Sequence, residues 1–231
     1  MAKRKDGIET RQKLLDVACD VFAEKGFREA TITEICRRAG ANVAAVNYYF
    51  GDKESLYVAA WRQTMEQFLS NDILPSKDLP PETRLRVAIH HIIHRVLVDD
   101  QSRGYFRRIE LMELANPTGL IDDLWKAMIA PRQKELLGII RDIIGPGASE
   151  DTVILCKTSI INQCRGYILT QKSCLESLGG SQFLTAAQAD RIAEHITRFS
   201  IAGIKAVSGQ ADDQADSTRE KGDGKMFTQS K

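Results

Sequence analysis

The chain has 231 residues, 43% apolar and 27% charged. That suffices for one large core or two small ones and excludes wholesale disorder. With 32 Lys+Arg against 31 Asp+Glu the net charge is +1, so a strongly basic polyanion binder is excluded and any nucleic-acid site is a local patch. No run of about 18 uninterrupted apolar residues occurs, and the basic start MAKRKDGIETRQ leads into no apolar stretch, so neither a membrane partner nor a secretory signal is expected, and a cytoplasmic location is. The five cysteines (Cys19, Cys36, Cys156, Cys164, Cys174) form no CxxC pair and read as reduced, inert thiols.

Helical periodicity runs through nearly every segment and predicts an all-α chain. The first helix is expected over 8–24, with Leu14, Leu15, Ala18, Val21 and Phe22 as its apolar stripe and Gly26 as its C-cap. A second begins at Thr31, where Thr31 and Glu34 read as a capping box, and closes at Gly40. The third covers 43–50 and stops at Gly51. Asp52 then N-caps a long fourth helix from Lys53. Three prolines in 72–82 mark a linker. Further helices are predicted over 82–98, 102–115, 119–144, 150–175 and 186–207, with Pro131 kinking or dividing the third of these. The polar stretch 208–231 is expected to be disordered. The resulting organisation is a reading domain over 1–53, a helical domain over 54–207 and a tail over 208–231.

The second helix, the turn Gly40-Ala41-Asn42 and the short third helix make a helix-turn-helix pattern. Val46 and Phe50, four apart, face inward with Ile35. Ala44, Ala45 and Tyr48 then point away from the core, flanked by Val43 and Asn47. Eight residues span about 12 Å, the width of a DNA major groove. Alanines permit close approach and contact with thymine methyls, Asn47 offers a donor and an acceptor to adenine, and the Tyr48 hydroxyl reaches a phosphate or sugar. Lys53 and the amides at its helix start suit a phosphate, as do Thr31 and Thr33. Lys3, Arg4 and Lys5 form a basic arm fit for a minor groove. Asn42, in the turn, completes the candidate DNA-binding set. Residues 1–53 hold ten Lys/Arg against eight Asp/Glu, a net of only +2.

The run GFREATITEICRRAGANVAAVNYYFGDKESLY (26–57) closely resembles the TetR family of bacterial transcriptional regulators. Its marks are Gly26-Phe27, the Thr31, Thr33 and Ile35 entry, Ala39-Gly40 at the turn, Tyr48 and Phe50 closing the reading helix, and Lys53 with Leu56. VNYYFGDKESLY and the stretch 113–145 resemble the CecR-like branch. Two positions depart from the family pattern: many members carry Ser near 42 and Tyr at 47, and here both are Asn. The resemblance implies an N-terminal helix-turn-helix domain, a C-terminal helical domain that binds a small-molecule effector and dimerises, and a homodimeric regulator, a repressor, on a palindromic double-stranded DNA operator. It also implies that the last two helices pair with their mates into a four-helix bundle, with Ile154, Ile161, Ile168, Ile192, Ile196 and Phe199 as contributors.

Polar or aromatic groups on otherwise apolar helices are the effector-pocket candidates: His94, Phe106, Glu110, Trp125, Met128, Gln163 and Tyr167. His90 and His94 share a helical face, but no Asp, Glu or Cys lies at a matching spacing nearby, so no metal or cofactor is assigned. Nucleophile elbow, Walker loop, Rossmann fingerprint and HExxH are all missing from the sequence, which argues against an enzyme. The competing expectation is a helical protein-interaction module without specific DNA binding.

Overall fold

The computed structural model describes residues 2–70, 75–97, 104–169 and 185–223. Among them the chain is all-α: α1 Ala2–Glu29, α2 Ile32–Ala39, α3 Val43–Phe50, α4 Lys53–Leu69, α5 Pro81–Leu97, α6 Gly104–Ala115, α7 Asp122–Ile144, α8 Glu150–Leu169 and α9 Ala186–Asp223. These gather into two compact units. One comprises Met1–Asp72 and Asp99–Pro131, the other Ile73–Val98 and Arg132–Lys231.

The first unit extends well past the boundary expected at residue 53. Leu56, Tyr57, Ala60 and Trp61 of α4 and Phe106 and Ile109 of α6 fill the same core as Leu14, Phe22, Ile35 and Val46, so compactness does not divide there. Tyr57 sits edge-on to Phe22 at 4.8 Å, and Trp61 meets Phe106 and Trp125 edge-on at 5.6 and 6.1 Å. A buried polar cluster accompanies these rings. The Tyr57 hydroxyl donates to Glu113 at 2.7 Å, and the Thr118 backbone N–H and hydroxyl donate to the other Glu113 oxygen at 2.8 and 2.9 Å. Burial and the neighbouring Glu113 carboxylate push the Tyr57 hydroxyl pKa well above its ordinary value.

In the second unit α5 supplies Leu85, Ile89, Ile93 and Leu97, a stripe repeating every fourth residue. It packs with Leu136, Ile139, Ile140 and Ile144 of α7, Val153, Ile160 and Cys164 of α8, and Ala189, Ile192, Ala193, Ile196 and Ile204 of α9. Buried Arg84 pairs with exposed Asp142 at 2.7 Å. Helices α5 and α9 run antiparallel, because Glu82 pairs with Lys205, Arg86 with Glu194, and His94 with Asp190.

Three expectations need correction. Helix α1 begins at Ala2 rather than near residue 8, and is broken at Gly26 (φ 71°, ψ 179°) before a last turn to Glu29. Of the two outcomes expected at Pro131, division does not occur: α7 runs through it, since its fixed φ suits a helix and apolar side chains anchor both halves. Helix α9 continues through the polar stretch to Asp223, because an existing helix extends without a new nucleus and 208–223 holds no proline. Residues 224–231 and Cys174 lie outside the described residues.

The Tyr57–Glu113 bond has a measurable consequence. Tyr57→Phe leaves a buried carboxylate short of a donor and is expected to lower stability by about 1–2 kcal/mol. Urea unfolding followed by tryptophan fluorescence reads this through Trp61, and an unchanged midpoint contradicts it.

Candidate nucleic-acid interface

Each end of the helix-turn-helix is fixed by a local backbone device. Thr31, in extended conformation, N-caps α2 by accepting from the Glu34 backbone N–H at 3.2 Å. The Glu34 carboxylate, expected to complete a capping box, is taken instead by Lys25 at 2.6 Å and Arg38 at 2.7 Å. Gly40 ends α2 at φ 64°, a left-handed conformation that glycine adopts without strain. Asn42 N-caps α3, its Oδ1 accepting from Ala45 N at 2.9 Å. Its oxygen is therefore engaged within the chain, which leaves the amide NH2 for any partner. Gly51 closes α3, and Asp52 N-caps α4 by accepting from Ser55 N at 2.7 Å.

Val46 is wholly buried with Ile35, and Phe50 lies half-buried under the Arg11 guanidinium at 4.9 Å. The opposite face is open: Val43, Ala44, Asn47 and Tyr48 are exposed, Tyr48 at 82%. Ala45 is a correction to the outward set. It and Tyr49, four residues on, form a half-buried flank packed against the core. Tyr49, which the sequence reading passed over, has a structural place here. Its ring meets Tyr48 edge-on at 4.9 Å and so braces the exposed ring. Adjacent aromatics beside a turn were the signal available.

The basic groups divide into engaged and open ones. Lys25 is paired with Glu34, and Arg38 with Glu34 and with Glu24 at 2.9 Å. The Lys53 ammonium stands 4.5 Å over the Phe27 ring and donates to the Arg28 carbonyl at 3.3 Å. Burial lowers its pKa from the ordinary value, and two of its donors remain for an anion at the start of α4. Thr31, Thr33 and Arg37 are exposed. Lys3, Arg4 and Lys5 continue α1 rather than forming an extended arm, because the helical pattern runs on to Ala2. Their side chains lie outside the described residues.

The effector candidates fall into two groups. Phe106, Glu110, Trp125 and Met128 belong to the first unit, where Phe106 is buried and stacks on Phe68 at 4.1 Å. His94, Gln163 and Tyr167 belong to the second. There His94 bonds Asp190, Gln163 lines a groove between α8 and α9, and Tyr167 packs on the core. Of the interface candidates, Ile154 and Phe199 are exposed and Ile161 is half-buried. Ile192 and Ile196 are corrections: both sit in the second unit's own core, on the inward stripe of α9. The Ile168 side chain lies outside the described residues. The reading missed Leu155 and Val207, which are exposed beside the same groove.

Residues 14–60 match the family described as bacterial regulatory proteins, tetR family. Residues 81–204, more than half of the chain, match the C-terminal domain of the HTH-type transcriptional dual regulator CecR. The chain belongs to the TetR family. It is 27% identical over 190 residues to CecR of Shigella flexneri, covering 77% of this chain and 83% of that one. It is 28% identical over 144 residues to the transcriptional regulator RutR of Escherichia coli K12, covering 60% and 66%. Among solved structures, a putative transcriptional regulator of Pseudomonas aeruginosa PAO1 superposes with a TM-score of 0.61 at 19% identity over 85% of this chain and 92% of that one. FadR of Bacillus subtilis, in complex with stearoyl-CoA, gives 0.59 at 17% over 83% and 98%. At such identities the structures establish the fold. The family matches and the named relatives make this TetR-family chain a DNA-binding transcriptional regulator of the CecR-like branch rather than an enzyme.

Two carboxylates of the reading unit sit below their ordinary pKa range. Glu34 is lowered by hydrogen bonds from Lys25 and Arg38, and Asp52 by the Ser55 backbone N–H. A depressed folded pKa contributes stability that is present above the ordinary carboxylate pKa and is lost as pH falls through the folded value. The double variant Glu34→Gln/Asp52→Asn is therefore expected to lose less stability than the parent between neutral and acid pH. Urea midpoints across that range check this, and equal losses contradict it.

Proposed function

We propose that this TetR-family chain is a homodimeric, effector-responsive repressor that presents α3 of each subunit to successive major grooves of a palindromic operator. The observation that carries the reading is the open face of α3. Val43, Ala44, Asn47 and Tyr48 project from a helix whose opposite side is held by buried Val46. Small side chains at 43 and 44 let the backbone approach base edges, Asn47 offers paired hydrogen bonds to adenine, and Tyr48 reaches the sugar-phosphate flank. Lys53, Thr31, Thr33 and the Asn42 amide serve phosphates, and exposed Arg37 joins them. Dimer formation is supported by exposed Ile154, Leu155, Phe199 and Val207 on α8 and α9, a concentration of apolar surface unusual on a lone subunit. A small molecule held by the helical part of the chain shifts DNA affinity, provided it binds the two DNA-affinity states unequally. The stearoyl-CoA complex of the structurally similar FadR supports an effector role for this fold.

Selection of bound duplexes by variants tests the reading face. Asn47→Ala is expected to relax base choice at one position per half-site, at about 1–3 kcal/mol of discrimination. Lys53→Ala is expected to weaken all sequences alike and to reduce the salt slope by about one phosphate equivalent. A salt-independent affinity would point instead to a protein partner.

Sedimentation tests the pairing face separately. Phe199→Glu and Leu155→Glu are expected to convert dimers to folded monomers, and wild-type monomers at micromolar concentration would remove the two-headed geometry.

A further inference from the structure

The strongest unassigned feature lies between α5 and α9 in the second unit. The core stripes of the two helices are Leu85-Ile89-Ile93-Leu97 and Ala189-Ala193-Ile196. Small Ala189 and Ala193 allow close approach. One residue beyond each stripe, about 100° around each helix, stand His90 and His94 on one side and Asp190 and Glu194 on the other. Sequence alone pairs the histidines but cannot find a third ligand, because His94 and Asp190 are 96 positions apart. The fold supplies it: donor atoms of His90, His94 and Asp190 lie within 4.8 Å of one another.

We infer that His90, His94 and Asp190 bind one divalent transition-metal ion of the zinc class, independently of the DNA-binding reading above. His94 Nε2 lies 2.7 Å from Asp190 Oδ1, and His90 Nδ1 lies 3.6 Å from that same oxygen. Ligands about 2.0–2.2 Å from a tetrahedral zinc ion are about 3.3 Å apart, so these separations bracket the requirement. The remaining pair of donor atoms lies within 4.8 Å, so closing on an ion draws the side chains together. The ion takes the place of the hydrogen bond between His94 and Asp190.

The surroundings supply the outer support such sites use. His90 Nε2 is sealed from solvent and without a hydrogen-bond partner, yet faces Glu194 Oε2 at 3.9 Å. Once Nδ1 ligates metal, Nε2 must carry the proton, and Glu194 is the carboxylate placed to accept it. Arg86 holds Glu194 at 3.3 Å and keeps that carboxylate beside the ring. The rings of His90 and His94 are nearly parallel, 16° apart, with centroids 6.4 Å apart. Arg191, His195 and Arg198 border the same groove. His91, on the neighbouring face of α5, is 3.2 Å from Arg95 and does not join the set. Imidazole and carboxylate ligands favour Zn2+, Co2+ or Ni2+ over Mg2+ or Ca2+. Three protein ligands leave an open coordination position, the arrangement of an exchangeable site rather than a closed structural one.

The test uses the purified, untagged full chain and Co2+ alone as probe, followed by its visible absorption, with Zn2+ competition to give affinity. The expected result is one ion per chain, displaced by Zn2+. His94→Gln and Asp190→Asn are each expected to weaken binding at least tenfold. Glu194→Gln is expected to weaken it by about 10–100-fold, as for outer-sphere partners of metal-bound histidine. His195→Gln and Cys156→Ser retain wild-type affinity. Circular dichroism of each metal-free variant separates ligand loss from unfolding, and these half-exposed substitutions are expected to melt close to the parent. No Co2+ spectrum in the wild type, unchanged affinity in folded His94→Gln and Asp190→Asn, or a loss that follows Cys156→Ser overturns the assignment.

Discussion

The helix-turn-helix depends on the burial of Val46. Helix α3 is eight residues long, well below the length at which an isolated helix persists in water. Its conformation is therefore supplied by its neighbours. Val46 and Ile35 are both fully removed from solvent, and fully burying side chains of this size contributes about 1.5–3 kcal/mol each. That contact fixes the rotation of α3 about its axis. Once Val46 faces the core, the 100° step leaves Ala44, Asn47 and Tyr48 no choice but to face water. The caps from Asn42 and Gly51 set where the helix starts and stops, and Val46 sets which way it looks.

Support for that contact reaches well beyond the helix-turn-helix. The core under Val46 is continuous with Tyr57 and Trp61 of α4 and with Phe106 and Ile109 of α6. Tyr57 carries both halves of the arrangement. Its ring packs on Phe22 and on Phe27 at 5.0 Å, while its hydroxyl holds Glu113 on α6. Phe27 in turn lies beneath the Lys53 ammonium. Thus the cation at the start of α4 and the tyrosine one turn further along that helix share a single aromatic neighbour. A reading domain that stopped at residue 53 would lack this floor.

Local signals were legible in the sequence, and cross-chain ones were not. Both ends of α2, the end of α3 and the start of α4 follow from Thr31, Gly40, Gly51 and Asp52, because caps are set by residues within one turn. The α3 face was legible in outline, since period and spacing place Val46 inward and Tyr48 outward. Ala45 was misplaced because a two-sided reading of a helix ignores its flanks. Ile192 and Ile196 were misassigned for a related reason: an apolar stripe does not say whether it faces its own subunit or another. The exposure of Leu155 and Phe199 emerges only after α5 has claimed the inward stripe of α9. The extension of α9 to Asp223 escaped a compositional reading because polarity alone does not end a helix.

The same geometric rule generates both chemically interesting surfaces. A buried residue fixes the azimuth of its helix, and the next residue in sequence is then turned about 100° to the edge of the contact. Asn47 follows Val46, His90 follows Ile89, His94 follows Ile93, and Asp190 and Glu194 follow Ala189 and Ala193. On α3 no partner helix lies across that edge among the described residues, so the edge group, Asn47, is exposed. Between α5 and α9 two such edges confront each other, and complementary groups meet: two imidazoles opposite two carboxylates, with an arginine behind. Core packing thereby orients polar side chains without touching them. A change in the stripe, such as a larger residue at Ala189 or Ala193, alters the metal-ligating geometry by moving helices rather than by removing a ligand.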